Sequence, residues 1–294
     1  MELKKCPICE GTQFSDVFKT SYFRGKPEDF LIQECNNCEL WFTNPRPSDE
    51  ELGAYYESED YVSHTDKKET LIDKIYHVVR SKAVKSKVNL IGKYATKGKL
   101  LDFGAGTGFF LNQAKTNGWE VFGAEPSQVA RKNAKEVHGL DLNNPESLDW
   151  EELKGSLDCI SMWHVLEHLS DLKGDFKKFS DSLKIGGHLF IAVPNHESFD
   201  AKHYGNKWAA LDVPLHLYHF KKDNIKMLAE NFGFEMVDIK NMPFDSYYVS
   251  MLSEKIKNGK GNLFSAFKTG FKSNQKAKGQ QNASSLIYIL KKTK

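Results

Sequence analysis

Long apolar runs are missing from this sequence of 294 residues. A membrane-spanning helix needs roughly 20 consecutive apolar residues, whereas the longest strong candidate, residues 189–193, stops at Pro194. The opening residues, 1–9, are charged and also lack an apolar stretch of signal-peptide length. We therefore expect a cytoplasmic protein that does not span a membrane.

The sequence also has no large excess of positive or negative charge. Lys plus Arg is 41 and Asp plus Glu is 39, which leaves a formal net charge of +2. Proteins dedicated to nucleic acid usually carry a strongly basic domain or stripe, and this balance does not indicate one. A content of 40% hydrophobic and 27% charged residues excludes wholesale disorder. At roughly 100 to 200 residues per domain, the length predicts about two domains.

Cysteine is scarce, but four of the five cysteines form two close pairs, Cys6 with Cys9 and Cys35 with Cys38. Each two-residue spacer lets a tight turn present two thiolates to one tetrahedral Zn²⁺, so the sequence predicts a zinc module over residues 1–47. Four protein ligands leave no open position for water, which makes the zinc structural. The alternatives are two disulfides, disfavoured in a reducing compartment, and a redox pair or unrelated cysteines, disfavoured by the matched spacing.

Residues 48–97 are predicted to connect this module to the rest of the chain. Their first part is rich in tyrosine, with Tyr55, Tyr56 and Tyr61, which suits either a pocket edge or packing against the next domain. From about residue 69 to Tyr94 the apolar residues recur at helical spacing, so we expect a linking helix there.

A glycine-rich loop follows at residues 102–108, between a predicted strand and a predicted helix. Gly104, Gly106 and Gly108 remove side chains where the backbone must pass close to a ligand, and the helix start offers free N–H groups. A second predicted strand ends at Glu125, whose carboxylate can accept both hydroxyl hydrogens of a ribose. The pattern therefore indicates a ligand that contains a nucleoside.

The form of the loop disfavours a pyridine dinucleotide. Phe109 occupies the position of the third glycine in the dinucleotide fingerprint. The anionic Asp102, directly before the loop, would repel a pyrophosphate but suits a cationic or amine-bearing ligand.

Four stretches resemble, in order and spacing, the motifs of class I S-adenosylmethionine-dependent methyltransferases: residues 102–108, 121–126, 157–168 and 186–195. The third stretch is especially similar to the ubiquinone-methyltransferase-like branch. More loosely, the four-cysteine start, the aromatic connector and residues 208–220 resemble bacterial methyltransferases with an N-terminal zinc module. That wider group includes deoxysugar C-methyltransferases.

The resemblance implies an α/β fold, with a Rossmann-like, doubly wound sheet of seven strands, the last one antiparallel, behind a small zinc-ribbon-like domain. The methyltransferase domain would span residues 98–294, with an acceptor-site insertion or cap at 196–234 and a basic excursion at 245–284. The first five strands would end near Phe103, Glu125, Leu142, Met162 and Val193, and the last two would span residues 235–241 and 285–291.

The resemblance also assigns residues to the cofactor, S-adenosylmethionine. Asp102 would bond its amino group, Glu125 would hold its ribose hydroxyls, and Pro126 would lie near its adenine. The full predicted cofactor set is Asp102, Phe103, Gly104, Ala105, Gly106, Gly108, Glu125, Pro126, Trp163 and His164.

A histidine is the natural base if the acceptor is a hydroxyl or a carbon acid, because its pKa lies near neutrality. We predict His216 as base or substrate binder, since the sugar C-methyltransferases carry a Tyr-x-Glu-His run where this chain has residues 213–216. The tyrosine and glutamate of that run are absent here, which argues against copying the sugar reaction. The other catalytic candidates are His219, His164, Glu167 and His168. A structural hydrogen bond is the alternative role for His216, His219, Glu167 and His168.

The acceptor is predicted to be a small polar metabolite, sugar-like or otherwise, and no nucleic acid partner is expected. Enzymes that methylate exocyclic amines of bases commonly carry Asn/Asp-Pro-Pro-Tyr/Phe after the fourth strand, and residues 162–165 do not match it. An RNA methyltransferase is the first alternative, supported by lysines and phenylalanines in residues 255–278. A zinc-bearing scaffold that binds the cofactor without catalysis is the second. The oligomeric state is not indicated.

Overall fold

The structure is a computed structural model that describes residues 1–25, 28–56 and 71–294. Part of the predicted aromatic connector, residues 57–70, lies outside the described residues. A helix at Leu71–Tyr94 lies where the linking helix is expected. Among the described helices, none is long and apolar enough to cross a bilayer.

The N-terminal segment forms a four-stranded antiparallel sheet. A hairpin supplies β1 (Phe14–Ser21) and β2 (Asp29–Cys35), and β3 (Trp41–Thr43) pairs with β2. The fourth strand, β8 (Tyr218–His219), comes from the far half of the chain and pairs with β3. The sheet therefore joins the predicted zinc module to the predicted cap.

A six-stranded sheet forms the centre of the remaining described chain. In spatial order its strands are β5 (Glu120–Ala124), β4 (Lys99–Phe103), β6 (Leu157–Trp163), β7 (Leu183–Pro194), β10 (Ser285–Lys292) and β9 (Phe234–Asn241). The first four are parallel, and β10 runs antiparallel to both of its neighbours. The expected α/β Rossmann-like fold with an antiparallel last strand is confirmed.

The expectation of seven strands is corrected at one edge of this sheet. The strand predicted to end near Leu142 is reduced to one parallel bridge between Ala124 and Asn143. Asn143 makes two backbone hydrogen bonds there, donating to the Gly123 carbonyl and accepting from Glu125 N. The pairing stops because a 3₁₀ helix begins directly afterwards at a proline, which has no N–H to donate.

Helices alternate with the parallel strands, as the sequence predicts. The α-helices of the described chain are α1 (Asp49–Tyr56), α2 (Leu71–Tyr94), α3 (Phe109–Thr116), α4 (Gln128–His138), α5 (Trp150–Leu153), α6 (Leu172–Ser182), α7 (Phe199–Tyr204), α8 (Lys222–Asn231), α9 (Asp245–Asn258) and α10 (Leu263–Ala277). Short 3₁₀ helices lie at Pro145–Ser147, Leu166–His168, Gly205–Lys207 and Ala209–Leu211. Local sequence sets the helix ends: the Ser127 hydroxyl accepts from Ala130 N at the start of α4, and Gly139 ends that helix with a φ of 63°.

Strand β7 lies at the centre of the core, with residues 189–193 entirely buried. One apolar cluster includes Phe176 and Phe179 of α6, and a second includes Ile91 of α2 and Leu111 of α3. Burying one such side chain stabilises the fold by roughly 1.5 to 3 kcal/mol relative to leaving it exposed. This packing holds the carboxyl ends of β4, β5 and β6 at one edge of the sheet, where their loops meet.

Candidate active site

The glycine-rich loop turns sharply between β4 and α3. Gly104, Gly106 and Gly108 have φ angles of 80°, 54° and 81°, a region that disfavours residues with a Cβ. A Cβ on Gly104 would lie 2.3 Å from Cγ2 of Val165, so the loop packs directly on the segment that follows β6. A Cβ on Gly106 would meet no described atom within 4 Å, so the backbone there borders open space.

Glu125 fixes the shape of this loop. Its Oε2 accepts from Gly106 N at 2.8 Å, and its Oε1 accepts from Ser127 N at 2.9 Å. Burial raises the pKa of Glu125, and the two backbone N–H groups oppose that rise. Because a carboxylate oxygen has two acceptor sites, both oxygens can still receive a ribose hydroxyl.

Asp102 lies at the end of β4, almost fully buried. Its Oδ1 accepts from the Ser161 hydroxyl at 2.6 Å. Burial raises the pKa of Asp102 to about 7, although this hydrogen bond and the nearby Lys87 ammonium work in the opposite direction. A cationic ligand group beside Asp102 would favour its ionised form.

His164 follows β6 and lies between two carboxylates. Its Nε2 is 3.0 Å from Asp245 Oδ2, and its Nδ1 is 3.3 Å from Glu167 Oε1, an ion contact too poorly aligned for a good hydrogen bond. Burial disfavours its charged form, but the two acids outweigh burial and raise the pKa of His164 to about 9. A histidine that is protonated at neutral pH is better suited to hold these acids than to act as a base.

Glu167, His168 and His216 form a compact cluster, hereafter the Glu-His-His cluster. One ligand atom of each lies within 4.8 Å of the others, and the two imidazole rings are perpendicular with centroids 4.7 Å apart. Glu167 is entirely buried, and its contact with His164 is the polar contact that its carboxylate makes in the described part of the chain. Burial lowers the pKa of His168 to about 4, and the neighbouring His216 reinforces this, so His168 is neutral.

Comparison with known proteins shows what kind of domain carries this site. A family model described as a methyltransferase domain matches residues 76–239, more than half of the chain. The chain belongs to this methyltransferase family. An uncharacterized methyltransferase of Bacillus mycoides is 30% identical over 151 residues, 47% of this chain and 70% of the relative. Another, of Bacillus cytotoxicus, is 30% identical over 133 residues, 41% of this chain and 62% of that relative.

Solved methyltransferases share the fold of this methyltransferase at low sequence identity. The magnesium protoporphyrin IX methyltransferase of Synechocystis PCC 6803, solved with bound SAH, is 14% identical with a TM-score of 0.53 over 84% of this chain and all of that one. A Haemonchus contortus phosphoethanolamine N-methyltransferase, solved with S-adenosylhomocysteine, is 19% identical with a TM-score of 0.50 over 72% of this chain and 53% of that one. The predicted enzyme class, an S-adenosylmethionine-dependent methyltransferase, is confirmed.

Trp163 and Lys87 line the same region of the methyltransferase. Trp163 Nε1 is buried and has no hydrogen-bond partner among the described residues, as expected of a group that faces a ligand. Lys87 Nζ lies 4.4 Å from the centre of the Trp163 ring. Burial lowers the pKa of Lys87, while Asp245 and Asp102 oppose this. Lys87 was not predicted from the sequence, because α2 has many lysines and the sequence does not show which of them points inward.

The remaining predicted cofactor residues contribute backbone or edge contacts. Phe103 turns its ring into the core against Phe179, 5.1 Å between centroids, so only its backbone faces the loop. Ala105 N donates to the Ala124 carbonyl at 2.9 Å, which holds the loop against β5. Pro126 is exposed, and its carbonyl accepts from Arg131 Nη1 at 2.7 Å. All ten predicted cofactor residues thus lie at the carboxyl ends of β4 and β6 or on the segments that follow β4, β5 and β6.

His219 lies apart from the Glu-His-His cluster, in β8. It is almost fully buried, its Nε2 has no hydrogen-bond partner among the described residues, and burial lowers its pKa well below the usual range. Its backbone pairs with Trp41 of β3. This position favours the structural alternative for His219.

The four paired cysteines come together at the N-terminus. The Sγ atoms of Cys6 and Cys38 are 3.5 Å apart, as are those of Cys9 and Cys35, and all four lie within 4.8 Å of one another. These separations are too long for disulfides. Sulfurs around a tetrahedral Zn²⁺, each at about 2.3 Å, lie about 3.8 Å apart, so the donor set fits one zinc ion. The hydrogen bond between Cys6 and Cys38 lowers the pKa of Cys6 and raises the pKa of Cys38, so one thiolate of this pair is held by the thiol of the other.

The two cysteine turns repeat one backbone geometry. Glu10 and Glu39, directly after the second cysteine of each pair, have φ angles of 61° and 56°. Each donates its N–H to the carbonyl of the first cysteine of its pair. Asn224 of α8 donates to the Cys38 carbonyl at 2.7 Å, so the second turn is fastened to the methyltransferase domain.

Strand β3 connects the cysteine cluster to the Glu-His-His cluster. The Thr43 hydroxyl donates to the His216 carbonyl at 3.0 Å, and Thr43 N donates to the Leu217 carbonyl at 3.1 Å. Leu217 N in turn donates to the Glu167 carbonyl at 2.8 Å. The N-terminal sheet therefore holds the segment that brings His216 to Glu167.

The predicted basic excursion forms α9 and α10. Phe264, Phe267 and Phe271 of α10 are exposed in this chain, with lysines interleaved between them. No comparison tests whether this surface binds RNA, so that alternative stays a prediction.

Proposed function

We propose that this methyltransferase moves the methyl group of S-adenosylmethionine to a small polar acceptor, a sugar-like or similar metabolite with a hydroxyl or an acidic C–H group. One observation carries the proposal: the glycine-rich loop packs, through Val165, on the short segment that ends in Glu167 and His168. The loop that would hold the cofactor and the residues that would face the acceptor are therefore neighbours in the structure. The sulfonium of the bound cofactor supplies an activated methyl group, so the chain mainly has to align the acceptor with it.

On the cofactor side, each polar group has a distinct task. Glu125 would receive the ribose hydroxyls while it keeps the loop in shape through Gly106 N. Asp102 would hold the cofactor amino group with the oxygen that Ser161 leaves available. Lys87, which feels the charges of Asp245 and Asp102, would meet the cofactor carboxylate.

On the acceptor side, His216 has the most suitable geometry among the predicted histidines. Its Nδ1 lies 2.9 Å from the Ala210 carbonyl, which requires Nδ1 to carry the proton and leaves the Nε2 lone pair for chemistry. Arg24 holds Asp212 beside it with two hydrogen bonds of 3.0 and 2.6 Å. His216 would meet the acceptor hydroxyl either as the base or as a group that binds it.

The test uses two measurements on the full chain. Calorimetry with S-adenosylmethionine should show binding at one site, and absence of binding would overturn the cofactor assignment. With methyl-labelled cofactor and a bacterial extract as acceptor, the label should appear in the low-mass fraction and survive nuclease treatment. Label in nuclease-sensitive material would instead support the RNA alternative.

A further inference from the structure

We propose that α9 and α10, hereafter the helical hairpin, dock on the surface of an anionic membrane. The largest apolar side chains of α10 are exposed in the described chain: Leu263, Phe264, Phe267 and Phe271. A helix at the surface of a soluble protein normally turns such a stripe towards the core. Because exposed apolar patches mark contact surfaces, this inverted pattern indicates that something covers α10.

The inward face of α10 consists of small side chains. Its buried residues are Ala266, Thr269, Gly270, Ser273 and Ala277. A Cβ on Gly270 would lie 2.8 Å from Cδ1 of Tyr247 and 3.0 Å from the Ser246 carbonyl oxygen, so α9 and α10 are in close contact there. At the other end of the pair, the Ser265 hydroxyl donates to Glu254 Oε1 at 2.6 Å. These contacts fix the rotation of α10 and leave its phenylalanines on the outside.

The helical hairpin is also strongly basic. Residues 255–278 contain no acid, and all of their lysines are exposed: Lys255, Lys257, Lys260, Lys268, Lys272, Lys276 and Lys278. Glu254, which precedes them, is only 3% exposed. Lys268, Lys272 and Lys276 recur every four residues and so follow one side of α10, where the last two also contact the Phe199 ring. Lysines attract anionic lipid while apolar side chains enter the interface, so this surface matches an anionic bilayer.

Two other occupants match this surface less well. In a symmetric dimer the same face meets itself, which would bring the lysines of two copies together. Single-stranded nucleic acid binds by stacking its bases on aromatic faces. Leu263 is aliphatic, however, and the Phe267 ring already stacks on Tyr247 with centroids 5.3 Å apart.

The helical hairpin is joined to the candidate active site. Asp245, the first residue of α9, lies 3.0 Å from Nε2 of His164. The Ser273 hydroxyl of α10 donates to Asp200 of α7 at 2.6 Å, so the hairpin also packs on the predicted cap. Docking would therefore bring the cap close to the membrane surface. Its use in presenting an acceptor rests on the proposed function, whereas membrane binding itself does not.

The test is co-sedimentation of the full chain with vesicles of phosphatidylcholine and phosphatidylglycerol, without cofactor. We expect binding that weakens as salt is raised, because salt screens the lysines. Changing Leu263→Ser and Phe264→Ser together should weaken binding at least about tenfold, since two apolar side chains no longer enter the interface. Val129→Ser with Ile185→Ser, two exposed apolar side chains of α4 and β7, is the matched control and should bind like wild type.

A second pair of variants tests the charge of the hairpin. Lys260→Gln with Lys268→Gln should weaken binding roughly thirtyfold, because each lysine near an anionic surface contributes about 1 kcal/mol. Lys132→Gln with Lys226→Gln removes two exposed lysines of α4 and α8 and should have no effect. All of these side chains are exposed, and circular dichroism establishes that each variant keeps its fold.

No vesicle binding by wild type, or equal losses in hairpin and control variants, would overturn membrane docking. Binding to an oligouridylate but not to vesicles would overturn it in favour of RNA. A dimer that dissociates in the hairpin variants, without vesicle binding, would overturn it in favour of a second copy. Because the assay contains no cofactor, these outcomes leave the proposed function untouched, and vesicle binding without turnover would contradict the proposed function alone.

Discussion

The cysteine cluster and the Glu-His-His cluster are built in opposite ways. The first takes all four cysteines from two short turns with the same backbone geometry. The second takes Glu167 and His168 from one short 3₁₀ segment and His216 from a segment nearly fifty residues later. The difference teaches that the cysteine cluster is encoded by local sequence, whereas the Glu-His-His cluster depends on the tertiary fold.

The two clusters are nevertheless coupled through β3. Thr43 follows shortly after Cys38 and bonds the backbone of His216 and Leu217. The cysteine cluster therefore lies beside the strand that holds the backbone of His216. We expect loss of the cluster to affect turnover through this strand.

The largest effect is expected when the cysteine cluster is broken. Cys35→Ser should abolish zinc binding and destabilise the chain on the order of 5 kcal/mol. This is less than the roughly 10 to 16 kcal/mol of isolated zinc peptides, because packing against α8 remains. Turnover should fall with it, since β3 loses its support. Zinc content by mass spectrometry and thermal unfolding measure the first two effects.

Cys159→Ala is the control for this variant, because Cys159 is a buried cysteine outside the cluster. It should keep one zinc per chain. If Cys35→Ser lost zinc but kept full turnover, the two clusters would be independent and the coupling through β3 would be wrong.

The next largest effect is expected from a variant in the predicted cofactor site, which leaves both clusters intact. Glu125→Ala removes the two backbone hydrogen bonds and the ribose acceptor, and hydrogen bonds to a charged group contribute about 1.5 to 3 kcal/mol each. We expect cofactor affinity to fall roughly 100-fold, about 2.7 kcal/mol, by calorimetry. Glu120→Ala, an exposed acid at the start of β5, should bind like wild type. Unchanged affinity of Glu125→Ala would remove this residue from the ribose role.

The elements that follow from local sequence were predictable. The Cys-x-x-Cys spacing, the glycine-rich loop and the apolar run at residues 189–193 each depend on neighbours in sequence, and each lies where expected. The prediction of a seventh strand was wrong because a 3₁₀ helix that begins at a proline ends the pairing after one bridge. Pairing of β3 with the two-residue β8 could not be predicted, since so short a strand has no periodicity. The Glu-His-His cluster depends on that pairing, so its residues were predictable but their grouping was not.

A moderate effect of pH is expected on the cofactor side. Burial raises the pKa of Asp102 to about 7, above its ordinary value of 3.8. The folded, unliganded chain therefore binds more protons than the unfolded chain between about pH 4 and 7, and its stability should fall as pH rises through that window. Cofactor affinity should do the reverse, rising roughly tenfold from about pH 6 to 8 as Asp102 ionises to meet the cofactor amine.

Calorimetry across that range on wild type and Asp102→Asn separates this effect from other titrations. Because the amide of Asp102→Asn cannot ionise, the affinity of this variant for the cofactor should be low and independent of pH. An equally steep rise in Asp102→Asn would assign the dependence to another group and leave Asp102 a structural partner of Ser161.

The smallest effect is expected from a variant of the strand that links the two clusters, which changes no residue of either cluster. Thr43→Val keeps the side-chain shape but leaves the buried His216 carbonyl without its hydroxyl donor, which costs about 1 to 3 kcal/mol of stability. Turnover should fall a few-fold while cofactor affinity holds, because only the acceptor side shifts. Thr20→Val, in β1, loses a similar hydrogen bond to the Asn206 carbonyl at 2.7 Å, yet it should spare turnover. Equal losses of turnover in both variants would mean that the sheet acts through general stability and not through the position of His216.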